Sequence, residues 1–285
     1  MNHNKVVLSG GVWFVGVPIG TARDITLRAL DVLASADVLV AEDTRSLRKL
    51  MDIHGVPLAG RRIEALHEHS KEGVVARLVT RAAAGESVAY ASEAGMPLIA
   101  DPGFELARAA RAAGVSVTCA PGPSAVLTAL VVGGLPTDAF HFAGFLPASR
   151  SGRKAAFAEL AGVKATLVMY ESPKRLGAML ADAAEVLGAD RACVVCRELT
   201  KKFEEKRDGT LAELAEHYAS ASVKGEIVVL VERADRVDVR EIDIESALKS
   251  ALKDMSVKDA AAFVAETWDV PKRQVYQRAL SISRD

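Results

Sequence analysis

Three acidic side chains that could accept a proton follow two apolar, strand-like runs of the sequence. Glu42 and Asp43 come directly after "DVLVA" (Asp37 to Ala41), and Glu93 comes shortly after "SVAYA" (Ser87 to Ala91). A carboxylate placed near a reacting hydroxyl group can act as its general base. Carboxylates are also favoured at the start of a helix, so for Glu42 and Asp43 catalysis and helix capping both stay open.

Three loops rich in glycine and proline also follow strand-like runs. They are "VGVPIGTARDIT" (Val15 to Thr26), "SEAGMP" (Ser92 to Pro97) and "APGPSA" (Ala120 to Ala125). A single Gly or Pro usually suffices to turn a chain, so this density indicates that a ligand approaches the backbone closely. The G-x-G-x-x-G and P-loop patterns are absent, and Pro18 has no amide hydrogen to donate to a phosphate. We therefore predict a ligand held by main-chain contacts without a phosphate cradle.

The elements that must position these loops alternate between β-branched runs and Ala-rich helical segments. The strand-like runs are "VWFVG" (Val12 to Gly16), "DVLVA", "SVAYA" and "VSVTCA" (Val115 to Ala120). Such alternation predicts a mostly parallel sheet covered on both faces, in a first lobe that spans residues 1–134. Ligands of such sheets bind at the carboxyl ends of the strands, where all three loops are expected.

The alternation of strand-like and helical segments changes after the first lobe. Strand-like runs with shorter intervals predict a second α/β lobe over residues 135–236, and residues 237–285 are expected to form a linker and a small helical unit. The charged stretch "ADRVDVREID" is the expected linker. Ser256 is a plausible N-cap, and Pro271 stands where the first turn of a helix accepts proline, which predicts two short helices joined at "WDVP".

Composition limits the classes of partner. The 285 residues carry 36 Lys and Arg against 37 Asp and Glu, so any RNA contact must come from local basic patches. Pro147 to Phe157 and Arg197 to Gly209 are expected to be basic loops. With the terminal helix, the candidate RNA contacts are Arg45, Arg150, Arg153, Lys154, Lys201, Lys202, Lys272, Arg273 and Arg278. The N-terminus lacks the apolar core of a signal peptide, so we expect a cytoplasmic protein without membrane association.

Two patterns raise the question of a metal. Cys193 and Cys196 have C-x-x-C spacing, but no second pair follows, and the intervening valines favour a buried strand with the two thiols on opposite faces. His67 and His69 lie on one face of an extended segment without a third ligand in view, which favours surface positions or hydrogen bonds to a substrate. We predict no metal site.

Eight stretches, taken together and in this order, resemble one known family. They are "VPIGTARDITLRALDVLASADVLVAEDTR", "HEHS", "SEAGMPLIADPGFELA", "PGPSA", "GLPTDAFHFAGFLP", "YESPKR", "RELTKKFE" and "KGEIVVLVE". The chain is similar over Val12 to Glu232 to the tetrapyrrole-methylase-like (class III) S-adenosylmethionine methyltransferases, specifically the branch that modifies 16S rRNA. The resemblance implies a two-lobed fold with a Rossmann-like, mostly parallel N-terminal lobe, a mixed second lobe and a small helical C-terminal unit.

The resemblance also implies a reaction. A homodimer would bind S-adenosylmethionine between the lobes and methylate the ribose 2′-hydroxyl of a cytidine in the decoding region of 16S rRNA, in the small ribosomal subunit. Glu42, Asp43 or Glu93 would accept the proton, with Arg45 or Lys201 orienting the nucleotide. By matching motifs, the cofactor residues would be Pro18, Ala94, Gly95, Met96, Ile99, Ser124, Ala125, Tyr170, Leu199, Gly225 and Glu226.

The chain departs from the family pattern at three positions. Glu93 and Met96 stand where Asp and Thr are usual, and Lys174 stands where His is usual. Gly95 and Pro97 still set the path of the backbone, so cofactor binding is expected to survive. Two alternatives share the fold: a methyltransferase acting on a corrin-type tetrapyrrole, which would not need the basic segments, and a non-catalytic RNA-binding protein, which would not need the glycine loops.

Overall fold

The computed structural model describes residues 3–67, 73–99, 103–221, 223–234, 239–267 and 272–282, with residues 239–243 as backbone alone. The chain forms two compact units, Met1–Arg233 and Ala234–Asp285. The larger unit contains two five-stranded sheets, and the smaller one is helical. Within the described ranges, no helix is both long and apolar enough to cross a bilayer.

The first sheet is parallel throughout. Its strands are Gly11–Val15 (β1), Val38–Ala41 (β2), Ile63–Ala65 (β3), Ser87–Ala91 (β4) and Val117–Ala120 (β5). Their order is β3-β2-β4-β1-β5, so β1 lies between β4 and β5. Val15 is paired with Ala91 and with Ala120, which brings the carboxyl ends of these three strands level. The predicted parallel sheet is confirmed, and the three glycine and proline loops leave adjacent strands at one edge.

Helices cover both faces of this sheet. They are Leu27–Ser35 (α1), Thr44–Ile53 (α2), Val74–Ala83 (α3) and Phe104–Ala112 (α4). Side chains alternate along each strand, as on β1, where Val15 packs with α1 and α2 while Phe14 packs with α3 and α4. Because both faces are covered, the three inner strands β1, β2 and β4 are buried along their whole length, which explains their continuous apolar sequence.

The second sheet is mixed. Its strands are Phe140–Phe145 (β6), Thr166–Glu171 (β7), Ala192–Arg197 (β8), Glu205–Thr210 (β9) and Ile227–Val231 (β10), in the order β6-β7-β10-β8-β9. Only β6 and β7 run parallel, and the other pairs are antiparallel. The helices Arg150–Leu160 (α6), Leu176–Leu187 (α7) and Leu211–Ser220 (α8) cover one face. The predicted mixed second lobe is confirmed.

The other face of the second sheet is covered by a helix that follows the last strand of the first. This helix, Ala125–Gly133 (α5), places Val126, Ala129 and Leu130 in one apolar cluster with Val228 and Leu230 of β10. A Cβ on Gly133 would lie 2.3 Å from the terminal methyl of Leu230, so a larger residue there would force that side chain to move. The helix α5 thereby fastens the two sheets together.

Three sequence predictions for the later part of the chain are wrong. The basic loop expected over Pro147 to Phe157 contains the start of α6. The basic loop expected over Arg197 to Gly209 contains β9, in which Lys206 pairs across the ladder with Cys196 of β8. A charged strand is tolerated because β9 lies at the edge of its sheet. The expected linker contains the start of a helix, Val239–Ala251 (α9), rather than ending before Ile244.

The smaller unit packs three helices around its own apolar cluster. After α9 come Val257–Thr267 (α10) and Lys272–Ile282 (α11), which confirms the two helices expected on either side of "WDVP". Leu248, Val264 and Val275 form the centre of the cluster. Ser256 caps α10 as predicted, because its hydroxyl accepts a hydrogen bond from the Asp259 amide at 3.2 Å. Pro271 lies outside the described residues.

Candidate active site

The loop after β1 is the centre of the candidate site. The Gly16 amide donates to the carbonyl of Ala120 at 2.9 Å, and the Val17 amide donates to that of Gly95 at 2.9 Å. These bonds continue the sheet past its last regular residues and bring the loop between the other two. The three loops that sequence analysis singled out are therefore one structure.

Glycine is required where these loops touch. A Cβ on Gly16 would lie 2.6 Å from the Gly122 nitrogen, and a Cβ on Gly122 would lie 2.8 Å from the Gly16 Cα. Both neighbours are backbone atoms, so no side-chain rotation could make room. Gly95 has φ +70°, in the left-handed region that favours glycine. Sequence analysis missed Gly16 and Gly122 as site residues, although their place in glycine-proline loops was a usable signal.

The sulfur of Met96 joins the same contact. It accepts a hydrogen bond from the Gly122 amide at 3.2 Å and would lie 2.8 Å from a Cβ on Gly16. Met96 therefore fixes the spacing of all three loops, a role that a shorter Thr side chain would fill differently. Met96, one of the three departures from the family pattern, therefore has a structural role in the site.

A loop of the second sheet closes on the first. Thr200 accepts a hydrogen bond from the Thr21 amide at 3.2 Å. A Cβ on Gly20 would lie 2.6 Å from both the Thr200 hydroxyl and the Lys201 side chain. Glu198 and Thr200 have positive φ, +52° and +63°, a conformation that costs about 1 to 3 kcal/mol outside glycine. Such strain is retained where a backbone must take one particular path.

Charged side chains around this loop of the second sheet form ion pairs with one another. The Lys201 ammonium lies 3.0 Å from Glu198 and 3.1 Å from Glu226. The Glu226 amide donates to the Glu198 carboxylate at 3.0 Å, and this bond, followed by Lys201, lowers the pKa of Glu198. A Cβ on Gly225 would lie 2.5 Å from the Glu198 side chain, so glycine is again required. Lys201 is thus paired and only a quarter exposed.

The structure separates the three candidate proton acceptors. Glu42 accepts a hydrogen bond from the Glu93 amide at 3.1 Å, so these two residues adjoin at the ends of β2 and β4. Asp43 instead caps α2 by accepting from the Arg45 amide at 2.8 Å, which is the main reason that its pKa is lowered. A carboxylate with a lowered pKa is a weaker base, so Asp43 is accounted for by capping.

The remaining predicted cofactor residues lie around these loops. Pro18 is in the first loop, Ala94 in the second, and Ile99 is 43% exposed beyond it. Ser124 caps α5, whose third residue, Leu127, donates the amide hydrogen, and Ala125 begins that helix. Tyr170 packs edge-on against Phe142 and Phe145 at the end of β7, and Leu199 is buried in the cluster that joins the sheets.

Several predicted RNA contacts are already paired within the protein. Arg153 is buried, and its guanidinium donates to the equally buried Asp182 at 2.6 Å, so it is not available to a phosphate. The segment expected to be a loop here is the start of α6. Arg150 pairs with Asp182 at 3.1 Å but stays 72% exposed, and Lys154 pairs with Glu185. Sequence alone gave no sign of these partners because they lie on α7.

Other predicted RNA contacts are exposed. Arg45 is 92% exposed beside Asp43. Lys202 lies over the ring of Phe203, at 5.4 Å from its centre. Lys272 and Arg273 are exposed at the start of α11, and Arg278 pairs with Glu245 of α9 at 3.0 Å.

The cysteine interpretation is confirmed. Cys193 and Cys196 are buried on opposite faces of the second sheet, in different apolar clusters. Burial raises the pKa of both thiols, that of Cys196 to about 11, so they are unreactive at neutral pH. Among described residues no group of three potential ligands could hold a metal ion; His67 is exposed, and His69 lies outside the described ranges.

The site residues fit a ligand such as S-adenosylmethionine. The loops Ser92–Pro97 and Ala120–Ala125 contain no Lys or Arg, and the loop Val15–Thr26 contains Arg23 alone, in a short helical turn beyond Gly20, so the segments that touch one another offer no cation to a phosphate. They offer main-chain groups held in fixed positions and the acidic side chain of Glu93. A donor with a positively charged sulfur and no phosphate suits that combination.

The fold and site together define a class of protein. Residues 11–215 match the family model described as Tetrapyrrole (Corrin/Porphyrin) Methylases, and residues 238–283 match the model described as RsmI C-terminal HTH domain. The solved structure of the methyltransferase CobJ shares the fold, with a TM-score of 0.60 and 20% identity over 79% of this chain and 95% of that one. A uroporphyrin-III C-methyl transferase from Thermus thermophilus, complexed with S-adenyl homocysteine, has a TM-score of 0.54 and 22% identity over 80% and 100%. The class is that of the two-lobed tetrapyrrole methylases.

Similarity over nearly the whole chain narrows the class. A protein of Mesorhizobium japonicum is 44% identical over 96% of this chain and 93% of its own length. One of Vibrio cholerae is 42% identical over 98% of both chains. Each is named ribosomal RNA small subunit methyltransferase I. The chain therefore belongs to the ribosomal RNA small subunit methyltransferase I family of S-adenosylmethionine-dependent methyltransferases within the tetrapyrrole methylases, and the resemblance found in the sequence is confirmed.

Proposed function

We propose that this protein methylates 16S rRNA of the small ribosomal subunit in the cytoplasm, at the ribose 2′-hydroxyl of a cytidine in the decoding region. The observation that carries the proposal is the junction of three glycine and proline loops with a strained loop of the second sheet. Relatives of 39–44% identity named for rRNA methylation support the choice of RNA over a tetrapyrrole substrate. The named nucleotide and the 2′-oxygen rest on the resemblance of motifs.

The bound S-adenosylmethionine would supply a methyl group on a positively charged sulfur. The main chain around Pro18, Gly95 and Ala125 would hold it from the first lobe, and Leu199 and Gly225 from the second. Tight loop contacts, such as that between Gly16 and Gly122, keep these groups in place before the ligand arrives. Such preorganisation matters because most of the acceleration of an in-line displacement comes from alignment of the reacting atoms.

Glu42 and Glu93 are the proposed proton acceptors. They adjoin one another at the ends of neighbouring strands, and the acid at Glu42 is anchored by the Glu93 amide. A 2′-hydroxyl is a weak acid and gains nucleophilicity when a carboxylate takes its proton. Asp43 is left out of this role because its carboxylate is engaged at the start of α2.

The helical unit is the proposed second RNA contact. Its match to a helix-turn-helix model supports a nucleic-acid role, and Lys272 and Arg273 are exposed at the start of its last helix. Basic side chains there would contact phosphates and set the orientation of the RNA. Recognition of the target would then combine this unit with basic groups of the larger unit.

We also propose that two copies associate through α5. Apart from Thr128, the helix consists of apolar residues and glycine, and the side away from the second sheet exposes Leu127, Val131 and Val132, with Val131 82% exposed. Leu127 and Val131 border a groove of about 550 Å³ that Phe140 completes. A helix that is apolar on every side is expected to be buried on every side, and a second copy would cover this one. Val131→Glu should shift sedimentation from dimer to monomer, whereas Val7→Glu, at a fully exposed valine outside the groove, should not.

The proposed function is tested by methyl transfer in vitro. Small subunits purified from cells that lack the gene are incubated with the protein and radiolabelled S-adenosylmethionine, and the modified ribose is mapped by its resistance to alkaline cleavage. We expect one 2′-O-methyl group in 16S rRNA. Methyl transfer to a corrin-type tetrapyrrole instead would show that the substrate is not RNA. Absence of S-adenosylmethionine binding in calorimetry would refute the proposed methyltransferase activity.

A further inference from the structure

We propose that a basic groove beside α2 binds the phosphate backbone of the RNA substrate, an inference that rests on the proposed function. The groove has a volume of about 920 Å³ and lies between α2 and the segment that leads into β3. Its charged lining consists of five basic residues and one acidic residue: Arg45, Arg48, Lys49, Arg61, Arg62 and Asp52. In a chain whose totals are 36 basic and 37 acidic residues, this is a strong local excess.

The basic residues of α2 share one face of the helix. Arg45, Arg48 and Lys49 have the spacing i, i+3 and i+4, which stacks them as neighbours. Leu47 and Met51 are buried on the opposite face. Like charges at this spacing destabilise a helix by about 0.2 to 0.5 kcal/mol per pair, so folding alone does not favour the arrangement. An anionic ligand would remove that repulsion.

Two of the five cations are free to accept an external partner. Lys49 and Arg62 are exposed, and neither has an ion pair with any described residue. Arg48 is paired with Asp52 at 3.0 Å and is half exposed. Arg61 has a structural task, because its guanidinium donates to the carbonyls of Leu33 and Ala36 at the end of α1. Arg45 lies 3.5 Å from Asp43 but is 92% exposed, so its guanidinium is also accessible to a phosphate. The proposed contacts are therefore Arg45, Lys49 and Arg62.

The position of the groove relates it to the reaction. The helix α2 begins two residues after Glu42, so its first turn lies at the sheet edge that carries the proposed proton acceptors. Its ten residues extend about 15 Å, which corresponds to roughly four phosphates of one strand. RNA lying along α2 would thus pass from the groove to the active site.

The lining favours RNA over an acidic protein. Stable protein interfaces have a core of apolar side chains, whereas five of the ten residues that line this groove are basic, and Ile53 is the exposed apolar side chain of α2. Guanidinium groups bind phosphate through paired hydrogen bonds, and two of the three proposed contacts are arginines. Rows of such contacts position a nucleic acid without reading its sequence.

The test neutralises two exposed cations and compares a matched control. Lys49→Gln/Arg62→Gln removes two charges from the groove. Arg108→Gln/Arg111→Gln removes two from α4, which packs on the opposite face of the first sheet. Affinity for 16S rRNA and for the small subunit is measured by filter binding at several salt concentrations. For the groove variant we expect weaker binding and a salt slope smaller by about 1.4, from about 0.7 per phosphate contact on a single strand.

Kinetics and cofactor binding complete the test. KM for the small subunit should rise in the groove variant while kcat and the affinity for S-adenosylhomocysteine stay at wild-type values, since α2 contacts do not hold the cofactor. If the double variant fails to fold, Arg62→Glu alone should show the same effects with a larger loss of affinity. The inference is overturned if the groove variant methylates the subunit at the wild-type rate and its salt slope equals that of the control variant. That result would leave the proposed function unaffected. Loss of binding to the subunit but not to naked rRNA also overturns it, in favour of a ribosomal protein.

Discussion

From the contact between Gly16 and Gly122 we predict that Gly122→Ala lowers both stability and activity. The added Cβ would lie 2.8 Å from the Gly16 Cα and carbonyl carbon and 3.0 Å from the Gly16 oxygen. Ordinary carbon contacts begin at about 3.5 Å, so the loops after β1 and β5 would have to separate by at least about 0.7 Å. Gly122 itself has no left-handed φ, so the effect is steric rather than conformational.

The expected loss follows from that displacement. Overpacking of this kind lowers the free energy of unfolding by about 1 to 3 kcal/mol. Misplacement of reacting groups by about 1 Å can reduce a rate by about 100-fold, so a shift of this size should reduce methyl transfer by about 10- to 100-fold. The amide of Gly122 would also lose its bond to the Met96 sulfur. Affinity for S-adenosylhomocysteine should fall in parallel.

The matched control is Gly162→Ala. A Cβ there meets no atom within 4 Å, and the backbone is not left-handed, so the same chemical change is harmless or slightly stabilising. Calorimetric titration with S-adenosylhomocysteine, urea unfolding and single-turnover methylation are measured on both variants. If Gly122→Ala binds and turns over like Gly162→Ala, the loops do not form the cofactor site and the reasoning is refuted.

Three further predictions concern the acids and the helical unit. Glu42→Gln and Glu93→Gln should each retain cofactor affinity. The variant that removes the general base should lower the rate of methyl transfer in single-turnover assays by about 100- to 10,000-fold, relative to the control variant Glu105→Gln on α4. Unchanged rates in both variants would exclude both acids as the base. Because the Glu226 amide and Lys201 lower the pKa of Glu198, its stabilising contribution is present above the ordinary glutamate pKa of about 4.3 and is lost as pH falls through the lower folded-state value. Glu198→Gln should therefore lower stability at pH 7 and flatten its decline in acid, as measured by urea unfolding, and a parallel decline would contradict the pairing. Removal of Ala234–Asp285, a compact unit by itself, should weaken RNA binding and spare cofactor affinity in calorimetry; unchanged RNA affinity would exclude the helical unit.

The sequence was sufficient for the features that depend on strand direction. Alternation of strands and helices predicts a parallel sheet, and in such a sheet the loops after β1, β4 and β5 must leave at one edge. The two-residue period likewise placed Cys193 and Cys196 on opposite faces. These predictions succeed because they follow from geometry that every parallel or extended segment shares.

Features that depend on a distant partner could not be predicted. Arg153 has the sequence of an exposed basic residue, and only the position of Asp182 on α7 makes it a buried ion pair. The strand β9 consists largely of charged residues and forms because β8 offers an unpaired edge. For Asp43 the sequence leaves capping and catalysis both open, because the hydrogen bond from the Arg45 amide is visible only in the structure.

The path of α5 links the site to the proposed dimer. The loop Ala120–Ala125 ends a strand of the first sheet, yet the helix that it begins packs on the second sheet through Val126 and Leu130. The loop that contacts Gly16 and the helix that exposes Val131 are thus one continuous segment. A second copy that covered α5 would restrain this segment from its outer side. Because the alignment of reacting groups depends on where that segment lies, association of two copies would stabilise the cofactor loops as well as bury apolar surface.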